Sequence, residues 1–219
     1  YESALSPRER IKKTESIFRR ILILQCCMRQ LQVATGNAHK LSEIRSLLGP
    51  EWEVVGLSDL GIEEDIPETE NTLEGNALLK ARYLYERTGQ AVCAEDTGLE
   101  IRALGGEPGV RSARYAGDAR RSDANMDLVL SRMRGISDRS ARFRTVIAFL
   151  DDSGRSHLFE GVCEGSIREQ RAGTGGFGYD PIFQPEGYTQ TFAELSTDQK
   201  NAISHRGRAV RAFIDFLIV

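Results

Sequence analysis

The sequence predicts an α/β fold with a mixed sheet, and two observations carry that reading. Strand-like and helix-like stretches alternate through the first half of the chain, as in parallel βαβ units. Further along, two apolar stretches flank Asp151-Asp-Ser-Gly154, a turn signal that joins antiparallel strands. The elements follow in order. Leu31–Thr35 reads as a short buried strand, and Gly36-Asn37 as a turn. Lys40–Leu48 carries Leu41, Ile44, Leu47 and Leu48 at helical spacing and ends at Gly49-Pro50. Trp52–Leu57 is strand-like, and residues 58–72 form an acidic loop. Glu74–Arg87 is a helix with Ala77, Leu78, Ala81, Leu84 and Tyr85 on one side and Gly89 as its stop. Gln90–Ala94 is a second buried strand and Leu99–Leu104 a third, separated by Glu95-Asp-Thr-Gly98. Gly105–Gly117 reads as a glycine-rich loop and Asp123–Met133 as a helix. Phe143–Leu150, His157–Cys163 and Ser166–Arg168 complete the sheet. Ser196 with Gln199 forms a capping-box pattern opening a last helix that runs towards Leu217.

Composition narrows the class. Of 219 residues, 40% are apolar and 28% charged, with 21 Gly and 6 Pro, which excludes collagen-like and wholly disordered chains. No apolar run approaches the ~20 residues of a spanning helix, so no membrane partner is expected. The four cysteines, Cys26, Cys27, Cys93 and Cys163, form no CxxC pair and no zinc spacing, which favours a reducing, cytoplasmic compartment. Residues 1–30 hold seven Lys/Arg and three Glu, a net of +4, so the overall −3 leaves −7 on the remainder. An acidic body argues against stable binding of long nucleic acid, but not against a small phosphorylated ligand. The basic head places Ile11, Phe18, Ile21 and Leu22 near one face, which suits a surface helix or a weak targeting segment. The favoured reading is a dispensable extension over residues 1–27 before a single domain over 28–219. Tyr1 is not an initiating Met, and Met28 stands directly before the first strand.

Five constellations carry chemistry. In Val33-Ala-Thr-Gly-Asn-Ala-His-Lys40 a strand ends, a Gly frees the backbone and a helix begins, so outward N–H groups and Lys40 can attract an anion. An ordinary capped turn explains the same residues equally well, and no GxxxxGK[ST] is present. Glu63, Glu64, Asp65, Glu68 and Glu70 crowd the loop before Glu74-Gly-Asn76, a pattern that usually marks a solvated loop. Glu95 and Asp96 stand where an apolar strand is expected to give way to a Gly turn, the end at which α/β folds place ligands. Their hard oxygens suit Mg²⁺. Gly173-Thr-Gly-Gly-Phe-Gly-Tyr-Asp-Pro181 contains a literal GxGxxG, but Pro181 and Pro185 prevent the helix a dinucleotide fingerprint requires. It is expected to present Phe177, Tyr179 and Asp180 for stacking on a base and bonding its edge. Lys200, Ser204 and His205 are spaced to share a helical face, with Arg206 following, as phosphate or base contacts. With only three His and no HxxxH, a His-ligated zinc site is not expected.

In this order, TGNAHK (35–40), ETENTLEGNALLKA (68–81), AEDTGLE (94–100), GGEPGVRSARYAG (105–117), GTGGFGYDPIF (173–183), TFAEL (191–195) and KNAISHRG (200–207) resemble the inosine triphosphate pyrophosphatase family. The resemblance covers the chain from Met28 onward. It implies an elongated mixed β-sheet with flanking helices forming two lobes around a central cleft, and a homodimer. The implied reaction is hydrolysis of ITP, dITP or XTP to the monophosphate and pyrophosphate with Mg²⁺. By that resemblance Thr35, Gly36, Asn37, Ala38, His39 and Lys40 cradle the phosphates. Glu68 and Asp96 bind the metal, Asp96 is also the general base, and Thr97 is a substrate-contacting hydroxyl. Phe177, Gly178, Tyr179 and Asp180 recognise the base, and Lys200, His205 and Arg206 contact substrate. Lys80 is a further charge facing the cleft. Glu70 stands where the family pattern has Gly, so Glu68 and Glu70 compete as ligands. Alternatives are a pyrophosphatase for pyrimidine or other modified nucleotides, a non-catalytic nucleotide binder, and a single-stranded RNA module using Phe177 and the basic head.

Overall fold

The computed structural model describes residues 29–218 except position 65; the extension over 1–27, Met28 and Asp65 lie outside the described residues. Strands are β1 Arg29–Val33, β2 Trp52–Gly56, β3 Val92–Ile101, β4 Pro108–Gly109, β5 Ser140–Leu150, β6 Ser156–Ile167 and β7 Phe183–Pro185. Helices are α1 Ala38–Leu48, α2 Leu73–Thr88, α3 Ser122–Arg132, α4 Thr197–Ile203 and α5 His205–Ile218. Among the described residues the strands form one mixed sheet in the order β2-β1-β3-β5-β6-β7, with β4 paired to β3. β1 runs parallel to β2 and β3, and every pairing beyond β3 is antiparallel. The parallel end reflects the early βαβ alternation, and the hairpin at Asp151–Gly154 makes the antiparallel end. No helix among the described residues is long and apolar enough to cross a membrane.

The helices form where the sequence patterns place them. Asn37 caps α1 by accepting from the N–H groups of His39 and Lys40, and Leu41, Ile44 and Leu48 turn inward. Thr72 caps α2, whose buried stripe is Leu73, Asn76, Ala77, Lys80, Ala81 and Leu84. Two polar side chains therefore share an apolar stripe, and both face the sheet. The capping box at Ser196 and Gln199 is present. The single last helix is not: Ser204 leaves helical geometry at ψ 156°, ends α4, and accepts from Gly207 N–H at 3.0 Å to open α5. Lys200 thus lies on one helix, and His205 and Arg206 on the next.

The largest departure from sequence expectation is β3. The two strands expected around Glu95-Asp-Thr-Gly98 are one ten-residue strand, paired with β5 from Val92 to Ile101. Gly98 is not a turn; a Cβ there would lie 2.8 Å from the Gly109 carbonyl oxygen of β4, so close approach of backbone explains the glycine. Gly161 does the same for α5, since a Cβ would meet the His205 carbonyl at 2.0 Å. α5 can therefore sit directly on β6. Apolar side chains fill three clusters: one under α1 and α5, one between α2 and the sheet, and one around α3 and the aromatic residues Phe143, Phe183 and Phe192. Cys93 and Cys163 are buried and unpaired.

Candidate active site

Because β3 is continuous, its adjacent carboxylates point to opposite faces of the sheet. Asp96 faces α2. Its Oδ1 accepts from Lys80 Nζ at 2.9 Å and its Oδ2 from Asn76 Nδ2 at 3.3 Å. Glu95 faces α5. It accepts from Arg206 Nε at 2.8 Å and Nη2 at 3.0 Å, and lies 3.2 Å from Lys40 Nζ. The expectation of two neighbouring carboxylates side by side is thereby corrected. Asp96 instead pairs with Glu68, which descends from the acidic loop: Lys80 Nζ also donates to Glu68 Oε1 at 2.7 Å. Glu68 lines the cleft and Glu70 does not. The backbone N–H of Glu70 donates to Asn76 Oδ1 at 3.0 Å. Of the two, Glu68 is the one that meets Asp96 at Lys80.

The charge environment sorts the two acids. Burial opposes ionisation of Glu68, but Lys80, with Lys40 and Arg114, outweighs it and draws the carboxyl down to about pKa 2. Asp96 is more deeply buried, and burial, reinforced by the negative charge of Glu68, raises its pKa despite Lys80 and Lys40. Lys80 is itself buried, yet its two carboxylates more than offset desolvation and raise its pKa, keeping it charged. A buried, ionised acid beside a more basic one is the pattern expected of an acid–base site. Among the described residues no group of three or more His, Cys, Asp or Glu gathers as a metal site. Two hard carboxylates nonetheless suit Mg²⁺, which characteristically completes its shell with water and substrate phosphate.

The cleft has a volume of about 670 Å³. It is lined by Thr35, Gly36, Asn37, Lys40, Glu68, Asp96, Thr97, Phe177, Gly178, Tyr179, Asp180, Lys200, His205 and Arg206, which sequence analysis had drawn from five separate segments. Ala38 and His39 are not part of the lining. Both lie on the exposed first turn of α1, where the His39 ring stacks on Phe177 at a centroid separation of 5.3 Å. Phe177 is flanked by Lys200 Nζ at 5.0 Å and Arg206 Cζ at 5.4 Å, two cations over its ring.

Several of these side chains also have partners within the protein or a place in its core. Asp180 is buried, accepts from Phe177 N–H at 2.7 Å, and pairs with Lys200 at 2.7 Å. It shapes the glycine loop, and its bonded oxygen is not free to read a base. Tyr179 is also buried, and its hydroxyl donates to the Ser112 carbonyl at 2.8 Å. Thr97 bonds Thr145 at 2.7 Å. His205 is 3% exposed and stacks on Phe143 at 4.5 Å. Burial, aided by Arg206 and Lys200, holds its pKa well below the usual value, so it is neutral, and its Nδ1 has no partner within the protein. Sequence reasoning missed Glu43, which takes Lys200 at 2.8 Å and Arg206 together. Its signal was present in the spacing: it lies one helical turn beyond Lys40. Arg114, Ser112 and Asn125 were also missed.

Fold and cleft together define a class: an α/β protein whose carboxylates, cations and aromatic ring converge on a pocket suited to a small phosphorylated aromatic ligand. Comparison makes the class specific. The model of the Ham1 family matches residues 31–216, and the chain belongs to that family. It is 52% identical over 192 residues to the dITP/XTP pyrophosphatase of Porphyromonas gingivalis, covering 87% of this chain and 98% of that one. It is 51% identical over 187 residues to the enzyme of the same name from Flavobacterium psychrophilum, covering 85% and 98%. Among solved structures, a HAM1 protein from Coxiella burnetii superposes with a TM-score of 0.79 at 38% identity, covering 87% of this chain and 99% of that one. The Staphylococcus aureus Ham1 protein gives 0.78 at 37%, covering 86% and 98%.

Proposed function

We infer that the protein hydrolyses non-standard purine nucleoside triphosphates, ITP, dITP and XTP, to the monophosphate and pyrophosphate. The single observation that carries the reading is the meeting of Glu68 and Asp96 across Lys80, in a cleft that also holds Phe177 and His205. A triphosphate carries about four negative charges at neutral pH, which must be screened before a nucleophile approaches. Lys40 and the N–H groups at the start of α1 supply part of that screening. Glu68 and Asp96 would hold Mg²⁺, which supplies further charge neutralisation when bound. Asp96 accepts the proton of the water that attacks the α-phosphorus. Burial and the charge of Glu68 raise its pKa in the metal-free protein, which favours taking up a proton there.

Phe177 stacks on the base and does not discriminate between purines. Discrimination falls to donors aimed at O6, and neutral His205 presents one N–H. Adenine would turn an amino donor towards it, and such mismatches cost about 10⁴-fold or more in kcat/KM. The protein is expected to act as a homodimer in the cytoplasm, and residues 1–27 are expected to be dispensable in a chain starting at Met28. The test is a panel of ITP, XTP, dITP, GTP, ATP, dUTP and dTTP with Mg²⁺, following pyrophosphate and orthophosphate. ITP and XTP should exceed GTP, with ATP lowest among purines. Orthophosphate release would refute the assigned bond, equal rates on ATP and ITP would refute the specificity, and binding without turnover would leave a nucleotide-binding protein.

A further inference from the structure

Glu68 is held by two cations that differ in how easily they can leave. Lys80 takes Oε1 and also Asp96 Oδ1, at 2.7 and 2.9 Å, and its side chain is 9% exposed. Withdrawing it would strand two carboxylates together. Arg114 takes Oε2 from the segment after Ser112 and Ala113, which line the cleft, and its side chain is 28% exposed. Glu68 is the only carboxylate it pairs with among the described residues. The backbone beneath it is clamped: Asn125 Nδ2 donates to the Ala113 carbonyl at 2.9 Å, and Tyr179 holds the Ser112 carbonyl at 2.8 Å. A long side chain on a fixed backbone can change partner without moving the wall that carries it.

The charges show why it would. Glu68 and Asp96 carry two negative charges, which Lys80 and Arg114 balance while no metal is bound. A divalent cation entering between the carboxylates would be repelled by both side-chain cations and would leave the site with a net +2, and the departure of one of them relieves half of that excess. We propose that Arg114 is the exchangeable counter-ion of the metal site: it neutralises Glu68 in the metal-free protein and releases Oε2 when a divalent cation binds. This rests on the reading of Glu68 and Asp96 as metal ligands. The two cations then compete for one carboxylate, so removing the arginine charge strengthens metal binding. A merely structural role would predict the reverse, because loosening Glu68 weakens a ligand.

The test is Mn²⁺ binding to the full-length protein without nucleotide, read by calorimetry and by the EPR signal of free Mn²⁺, with a melt to show that each variant is folded. Arg114→Gln removes the charge and is expected to tighten Mn²⁺ about tenfold, the scale of a typical coupling between two ligands. Arg114→Lys keeps the charge and should stay near wild type. Glu68→Gln should weaken Mn²⁺ by a similar factor. If Glu68→Gln leaves affinity unchanged, the metal-site reading fails and the proposal with it. If Glu68→Gln weakens binding but Arg114→Gln does not tighten it, the counter-ion exchange is overturned while the metal site stands.

Discussion

Arg206 and Glu95 form a two-point pair in the interior, Nε to Oε2 at 2.8 Å and Nη2 to Oε1 at 3.0 Å, with both side chains 1% exposed. The guanidinium fork matches the carboxylate and ties the first turn of α5 to the middle of β3. Glu43 of α1 takes Nη1 of the same group. Three elements of the cleft wall therefore meet at one side chain, whose face also lies over Phe177.

Replacing Arg206 should consequently be felt in folding before specificity. Arg206→Ala leaves Glu95 buried with Lys40 alone, and breaking such a pair from one side costs about 3–5 kcal/mol. For a chain of this size that lowers Tm by roughly 10 °C. Calorimetry in the absence of nucleotide measures it, and an unchanged Tm would show that the pair contributes little.

Asp96→Asn separates activity from stability. The variant keeps the shape but loses the proton acceptor, so kcat should fall by at least ~10²-fold. Ionised Asp96 is disfavoured by burial in the folded protein. The neutral amide removes that penalty but also the buried pair with Lys80 at 2.9 Å, so the two effects oppose and Tm should change far less than kcat. A loss of activity explained by unfolding at the assay temperature would contradict a direct role for the carboxylate.

Lys80→Met should make folding depend on metal. Without the ammonium, Glu68 and Asp96 face each other with only Arg114 and the more distant Lys40 to help, so the metal-free protein should melt below wild type. A bound cation stabilises by RT ln(1 + [L]/Kd), about 2.7 kcal/mol at 100 times Kd. Melts in EDTA and in excess Mg²⁺ should therefore differ more for the variant than for wild type. Equal shifts would remove Lys80 from the metal site.

Two pH effects of opposite sign follow from the same pair. Asp96 has a raised pKa in the metal-free protein, where burial and Glu68 disfavour its charge, so its carboxyl carbon, followed by NMR without metal, should titrate above the ordinary aspartate value of 3.8. Glu68 is lowered from 4.5 to about 2. Its ionised form contributes stability that is fully present above pH 4.5 and is lost as pH falls through about 2. Urea unfolding should show the advantage of wild type over Glu68→Gln shrinking across that window. An advantage constant with pH would mean that Glu68 carries no stabilising charge.

The sequence by itself determined what depends on near neighbours. The strand–turn–helix at Thr35–Lys40 was legible because Asn37 caps amides only two and three residues away. The faces of α1 and α2 were legible from helical spacing, and the box at Ser196 from residues three apart. The ordered motifs also named most of the cleft lining. Only the tertiary structure decided how those residues pair. Gly98 reads locally as a turn, yet pairing with β5 along its whole length keeps β3 straight through it, and that continuity sends Glu95 and Asp96 to opposite faces. Lys80 is expected as a charge facing the cleft, but its partners are decided only when α2 docks it against Asp96, sixteen residues away, and Glu68. Arg206 reads as a ligand contact, and its second partner appears only when α5 settles on Gly161 and brings it to Glu95 across 111 residues. Local pattern sets which residues are present and which way an element faces. The partner of a buried charge is set by which elements the sheet order and the close-approach glycines bring together.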